Sequence, residues 1–111
     1  MSEYITVIRS MDDYNKFKRD HEKCVFMYSA NYCAVCKEIL PLYERIGKRY
    51  QDKIALAFAD IDVCGIELPS VPLFTQIYKG KKYNEMDGVA VKSLKDFVKN
   101  AILITDKDIK S

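Results

Sequence analysis

The stretch "SANYCAVCKEILPLYERI", Ser29 to Ile46, places Cys33 and Cys36 two residues apart at the point where an apolar run gives way to a helical pattern. Three chemistries use such a pair: a zinc site, an inert structural pair and a redox dithiol. Tetrahedral zinc needs four ligands. The other candidates, Cys24, Cys64 and His21, form no second CxxC or HxxxH spacing. A dithiol is therefore favoured, and what surrounds it bears on the choice.

Upstream, "CVFMYSA" (24–30) is a nearly continuous apolar run of strand length, as expected of a central strand covered on both faces. Downstream, Val35, Ile39, Leu42, Tyr43 and Ile46 recur at helical spacing opposite Lys37, Glu38, Glu44, Arg45 and Lys48. This predicts a helix over about 33–50, kinked at Pro41, which lacks the N–H that the helical ladder needs. The dithiol thus sits where a buried strand meets a helix N-terminus.

Further out, "YITVI" (4–8) reads as a first strand, and a helix capped by Ser10 and Asp13 follows, ending near Lys23. "KIALAFADID" (53–62) reads as a buried strand with Ile54, Leu56 and Phe58 on one face and Ala55, Ala57 and Ala59 on the other, beneath a helix. "LFTQIY" (73–78) and "YNEM" (83–86) flank a turn at Gly80 and predict a hairpin, and "SLKDFVKNAI" (93–102) a last helix before a charged tail. The order β-α-β-α-β, then β-β-α, implies an α/β fold with a mixed sheet and helices on both faces.

The bulk properties narrow the function. At 111 residues the chain is expected to form one domain, 1–111. Its 18 basic and 16 acidic residues are interspersed, so a nucleic-acid partner is not expected. Neither a signal peptide nor an apolar run of membrane-spanning length is read, which gives a cytoplasmic, membrane-free expectation and reduced thiols.

With this order in hand, "YCAVCKEILP" (32–41) resembles the active-site segment of the thioredoxin family, and Cys33, Cys36, Lys37 and Pro41 fall on its pattern. "SVP" (70–72) corresponds to the family's cis-proline motif, "YKGKK" (78–82) to its hairpin turn, and Gly88 to the glycine after its last strand. The resemblance spans about Tyr4 to Ile102. It implies the thioredoxin fold, with a central sheet of about five strands, and a thiol-disulfide oxidoreductase that reduces protein disulfides.

On that reading Cys33 is the nucleophile, its thiolate favoured by the helix N-terminus and Lys37, and Cys36 resolves the mixed disulfide. Pro72 faces the dithiol, the Val71 backbone pairs with an extended substrate, and Tyr32 and Gly88 border the groove. The implied partners are disulfide-containing proteins and an electron donor of the thioredoxin-reductase or glutathione-linked type. No cofactor or metal is implied, and a monomer is expected.

The departures from the family pattern concern proton handling. The spacer is Ala34-Val35 where thioredoxins proper carry Gly-Pro, and Tyr32 replaces tryptophan. Met27 stands where the family has a buried acid, and Phe58 where it has the accompanying lysine. Asp60, two residues after Phe58, is the substitute base expected from sequence. The third helix is expected to be short or absent. A second reading follows from these changes: a thioredoxin-fold interaction module with weak or specialised redox turnover.

Overall fold

The structure is a computed structural model that describes residues 3–87 and 91–109. The elements are β1 (Ile5–Ile8), α1 (Met11–Asp20), β2 (Lys23–Ser29), α2 (Ala34–Arg49), β3 (Ala55–Asp60), α3 (Ile61–Cys64), β4 (Leu73–Tyr78), β5 (Lys81–Asp87), α4 (Val91–Leu103) and α5 (Asp106–Ile109). Gly88, assigned to the groove by the resemblance, lies outside the described residues.

The strands form one sheet in the order β1-β3-β2-β4-β5. β1 and β2 run parallel to β3, whereas β4 is antiparallel to β2 and β5 antiparallel to β4. β2 is central, and from Cys24 to Ser29 every residue is buried. One face packs Val25, Met27, Leu56 and Phe74 against Tyr43 and Ile46 of α2 and Leu94 and Val98 of α4. The opposite face packs Phe26, Tyr28, Ala57 and Ala59 against Phe17 of α1. The small alanine face of β3 therefore lies on the α1 side, where the Phe17 and Phe26 rings meet edge to face at 5.4 Å.

Element ends differ from the sequence expectation for identifiable reasons. α1 stops at Asp20 rather than near Lys23, because His21 is extended and Lys23 already pairs with Tyr78. The Ser10 hydroxyl accepts the Asp13 N–H, while the Asp13 carboxylate reaches back to the Arg9 N–H, one residue beyond a regular capping box. The 53–62 strand begins only at Ala55, and its last two residues belong to α3. β5 runs from Lys81, because Lys79 (φ 51°) and Gly80 (φ 83°) are both left-handed and turn the chain in two residues.

The charged tail holds a further short helix, α5. The Thr105 N–H and hydroxyl donate to the Asp108 carboxylate at its start, and Tyr78 and Lys79 donate to Asp106. The sequence reads here as a charged tail alone, although Thr105 and Asp108 stand three apart as capping residues do.

At Gly47, α2 packs closely against the start of β1. A Cβ there would lie 2.9 Å from Ile5 Cδ1 and 3.0 Å from the Tyr4 carbonyl oxygen. In an open helix Gly→Ala stabilises by about 0.5–1 kcal/mol. Here the backbone carbonyl cannot yield, so Gly47→Ala is expected to destabilise by about 1 kcal/mol or more, lowering Tm by roughly 4–8 °C. A melting temperature equal to or above that of the wild type would contradict the close packing.

Candidate active site

The dithiol sits at the C-terminal end of the central strand. β2 ends at Ser29, and a tight turn, Cys33 N–H to the Ala30 carbonyl at 3.0 Å, brings the chain to the start of α2. Cys33 is the N-cap of that helix, and its sulfur accepts the Cys36 N–H at 3.1 Å. This amide is one of those an α-helix leaves without an intrahelical partner at its start. A thiolate at Cys33 would gain both this hydrogen bond and the positive end of the helix dipole. The first turn of α2 carries no acidic residue to oppose it.

Cys33 and Cys36 are joined as a disulfide with a Cα separation of 5.3 Å. Cys33 is 7% exposed and Cys36 1%. Both pack in the cluster that contains Met27 and Tyr43, with Phe58 against it, so the floor under the dithiol is apolar. Met27 and Phe58 are partners across the β2–β3 ladder, and Met27 is fully buried.

The Val71–Pro72 peptide is cis and immediately precedes β4, whose Leu73 pairs with Tyr28 near the end of β2. Pro72 thus lies at the same end of the sheet as the Cys33 loop, and Val71 packs against the cluster that holds both cysteines. Tyr32, 75% exposed, stands beside Cys33, and Lys37 is exposed in the first turn of α2. Val35, read from the sequence as part of the buried stripe, is instead half exposed. The buried face of α2 runs instead through Cys36, Tyr43, Ile46 and Gly47, with Val35 beside it.

Asp60 is paired with Ser29 at the end of β3, and its Oδ1 accepts the N–H groups of Asp62 at 2.9 Å and Val63 at 3.3 Å. It is the N-cap of α3, which has only four residues. Two roles escaped sequence reading. The Tyr43 hydroxyl is shared between the Val25 and Ala57 carbonyls at 3.1 and 2.8 Å, and Gln76, fully buried, donates to the Phe97 carbonyl of α4 at 2.9 Å. A tyrosine on an apolar helical stripe was the one signal available for the first.

The other two cysteines are buried free thiols. Burial pushes the Cys24 thiol up to about 12, opposed only in part by Lys18, and burial with the charges of Asp60 and Asp13 raises Cys64. Among the described residues, no group of three His, Cys, Asp or Glu side chains is arranged to hold a metal ion.

A dithiol at a helix N-terminus, beside a cis-proline loop at the end of a five-stranded mixed sheet, defines a thiol-disulfide oxidoreductase of the thioredoxin type. The thioredoxin family model matches residues 5–100, and the chain belongs to that family. It is similar to thioredoxin of Coprinus comatus, 26% identical over 105 residues that cover 88% of this chain and 98% of that protein. Thioredoxin of Equus caballus is 30% identical over 87 residues, 73% of this chain and 82% of its own. Among solved structures, Plasmodium falciparum thioredoxin superposes with a TM-score of 0.80 at 21% identity, covering 86% of this chain and 97% of its own. No helix among the described residues is long and apolar enough to cross a membrane.

The thiol environments predict selective alkylation. After reduction, iodoacetamide at about pH 8 is expected to label Cys33 in the native protein while Cys24 and Cys64 react only on unfolding, because a raised pKa keeps their thiols protonated. Mass mapping that finds Cys24 labelled in the native state as fast as Cys33 would contradict this.

Proposed function

We propose that the chain reduces disulfides in protein substrates, with Cys33 as nucleophile and Cys36 as resolving thiol. The observation that carries the assignment of roles is the Cys36 N–H directed at Cys33 Sγ, which favours a thiolate at Cys33 alone. The Cys33 thiolate attacks one sulfur of the substrate disulfide. That bond breaks as the mixed disulfide forms, and the departing substrate thiolate takes a proton from water. Cys36 then loses its proton and attacks Cys33 Sγ, releasing the second substrate thiolate and leaving the internal disulfide. Two electrons have passed to the substrate, and an external dithiol donor of the thioredoxin-reductase or glutathione-linked type must return them.

Substrate binding is assigned to the exposed Tyr32 ring, the Val71 backbone and Pro72, and the resemblance to the family adds Gly88. Lys37 adds positive charge near Cys33. The cell compartment proposed is the cytoplasm, where reduced donors are available. An insulin-reduction assay tests the assignment: Cys33→Ser is expected to fall to the uncatalysed rate, and Cys36→Ser to accumulate a mixed disulfide with the substrate. Equal rates for wild type and Cys33→Ser would sink the enzyme reading.

The second reading, a module with slow redox turnover, draws on Met27 and Phe58 in the apolar cluster that holds Cys36. A thiol in apolar surroundings ionises reluctantly, so resolution is the slow step. In single-turnover measurements the resolution rate is expected to climb about tenfold per pH unit below the Cys36 pKa. A rate independent of pH would show that ionisation of Cys36 does not limit it.

Asp60 is proposed as the base that relieves this step. Asn caps a helix about as well as Asp, so Asp60→Asn keeps the α3 cap while removing the carboxylate. The expected result is slower resolution at neutral pH with an unchanged melting temperature. An unchanged resolution rate would leave Asp60 as a cap alone.

A further inference from the structure

At the far end of α2 from the dithiol, a cavity of about 660 Å³ opens beside the last turns of that helix, a volume in the range of small-molecule sites. Its wall carries four cations, Arg45, Lys48 and Arg49 from α2 and Lys95 from α4, over an apolar floor of Leu42, Ile46 and Tyr50. None of the described residues lining it is acidic. The ion pairs found among the described residues use Lys16, Lys79 and Lys82, so these four charges are left to solvent or to a ligand.

Ordinary helix stability accounts for only part of this cluster. Lys48 and Arg49 lie in the last turn of α2, where cations suit the helix dipole. Arg45 lies a turn earlier, three residues from Lys48 and four from Arg49, and like charges at those spacings destabilise a helix. Lys95 comes from the N-terminal half of α4, where the dipole offers a cation nothing. Two helices thus converge like charges on one concave site against local electrostatic preference. The Arg49 guanidinium also lies 5.7 Å from the centroid of the Tyr50 ring, which makes a flat cation–aromatic platform at the cavity's edge.

We propose that this cavity binds a nucleotide-type ligand, with its phosphates on Arg45, Lys48, Arg49 and Lys95 and its flat body against Leu42, Ile46 and Tyr50. Arginine and lysine are the side chains suited to phosphate, and an apolar floor rewards a ring that a bare phosphate lacks. The phosphate-binding cations lie apart from the dithiol, since the nine residue steps of α2 from Cys36 to Arg45 span about 14 Å.

The test is a titration of the full chain with ATP, tripolyphosphate and adenosine, followed by amide NMR shifts and calorimetry. ATP is expected to shift the amides of residues 42–51 and 95 saturably while those of 32–37 stay in place. The double variant Arg45→Ala/Lys95→Ala is expected to bind ATP about tenfold or more weakly, with its insulin-reduction rate unchanged and its melting temperature unchanged or raised. Lys48→Glu, also at an exposed position, is expected to weaken ATP further than loss of one charge alone. No saturable shift at millimolar ATP, or unaltered affinity in the double variant, would overturn the site. Tripolyphosphate binding as tightly as ATP, or adenosine doing so, would overturn the nucleotide assignment.

Discussion

The burial of β2 on both faces is the constraint on which the rest of the structure depends. Its residues from Cys24 to Ser29 are all buried, which requires a ladder partner on each edge and a helical layer on each face. β3 and β4 supply the edges, α1 covers one face, and α2 and α4 cover the other. Because parallel β2 and β3 end together, Ser29 and Asp60 come to the same end of the sheet, and the antiparallel β4 starts there with Pro72 just before it. Three segments distant in sequence therefore converge where the dithiol lies.

The chemistry at that point is set by polarity in two directions. Along α2, the unpaired amide of Cys36 faces the sulfur of Cys33, and the helix start favours negative charge. The core that holds the dithiol is apolar: Met27 is fully buried in the same cluster, with Phe58 in register on the neighbouring strand. The same dithiol is thus given help for ionising its outer sulfur and none, from this core, for ionising its inner one. The pairing of two apolar residues is physically consistent, because a single buried charge at either position would lack a partner.

Elsewhere, buried polar groups serve the architecture. Tyr43 places its hydroxyl between the carbonyls of two adjacent strands, and Gln76 ties β4 to α4. Cys24 and Cys64, which carry the same functional group as the active pair, are held protonated by burial. Position rather than residue type separates the disulfide-linked pair from the buried free thiols.

Much of this was legible in the sequence. The nearly continuous apolar run at 24–30 pointed to the central strand, because a strand covered on both faces has no solvent side to alternate with, unlike a surface strand. The alternation at 54–59 gave the two faces of β3, and the helical stripe gave α2, since these periods follow from backbone geometry. The cysteine pair at the strand–helix junction, with the Ser70-Val71-Pro72 motif, marked the site. What only the tertiary structure decided involves partners far apart in the chain or at element ends. Val35 shares the period of the expected stripe, yet it is half exposed, because the buried face of α2 runs through Cys36, Tyr43, Ile46 and Gly47 and leaves Val35 beside it. Asp60 shares a strand with Phe58, but it caps α3, because β3 ends there and free amides follow. Lys95 and Arg45 lie 50 positions apart, and only the packing of α4 beside α2 brings their charges to one cavity.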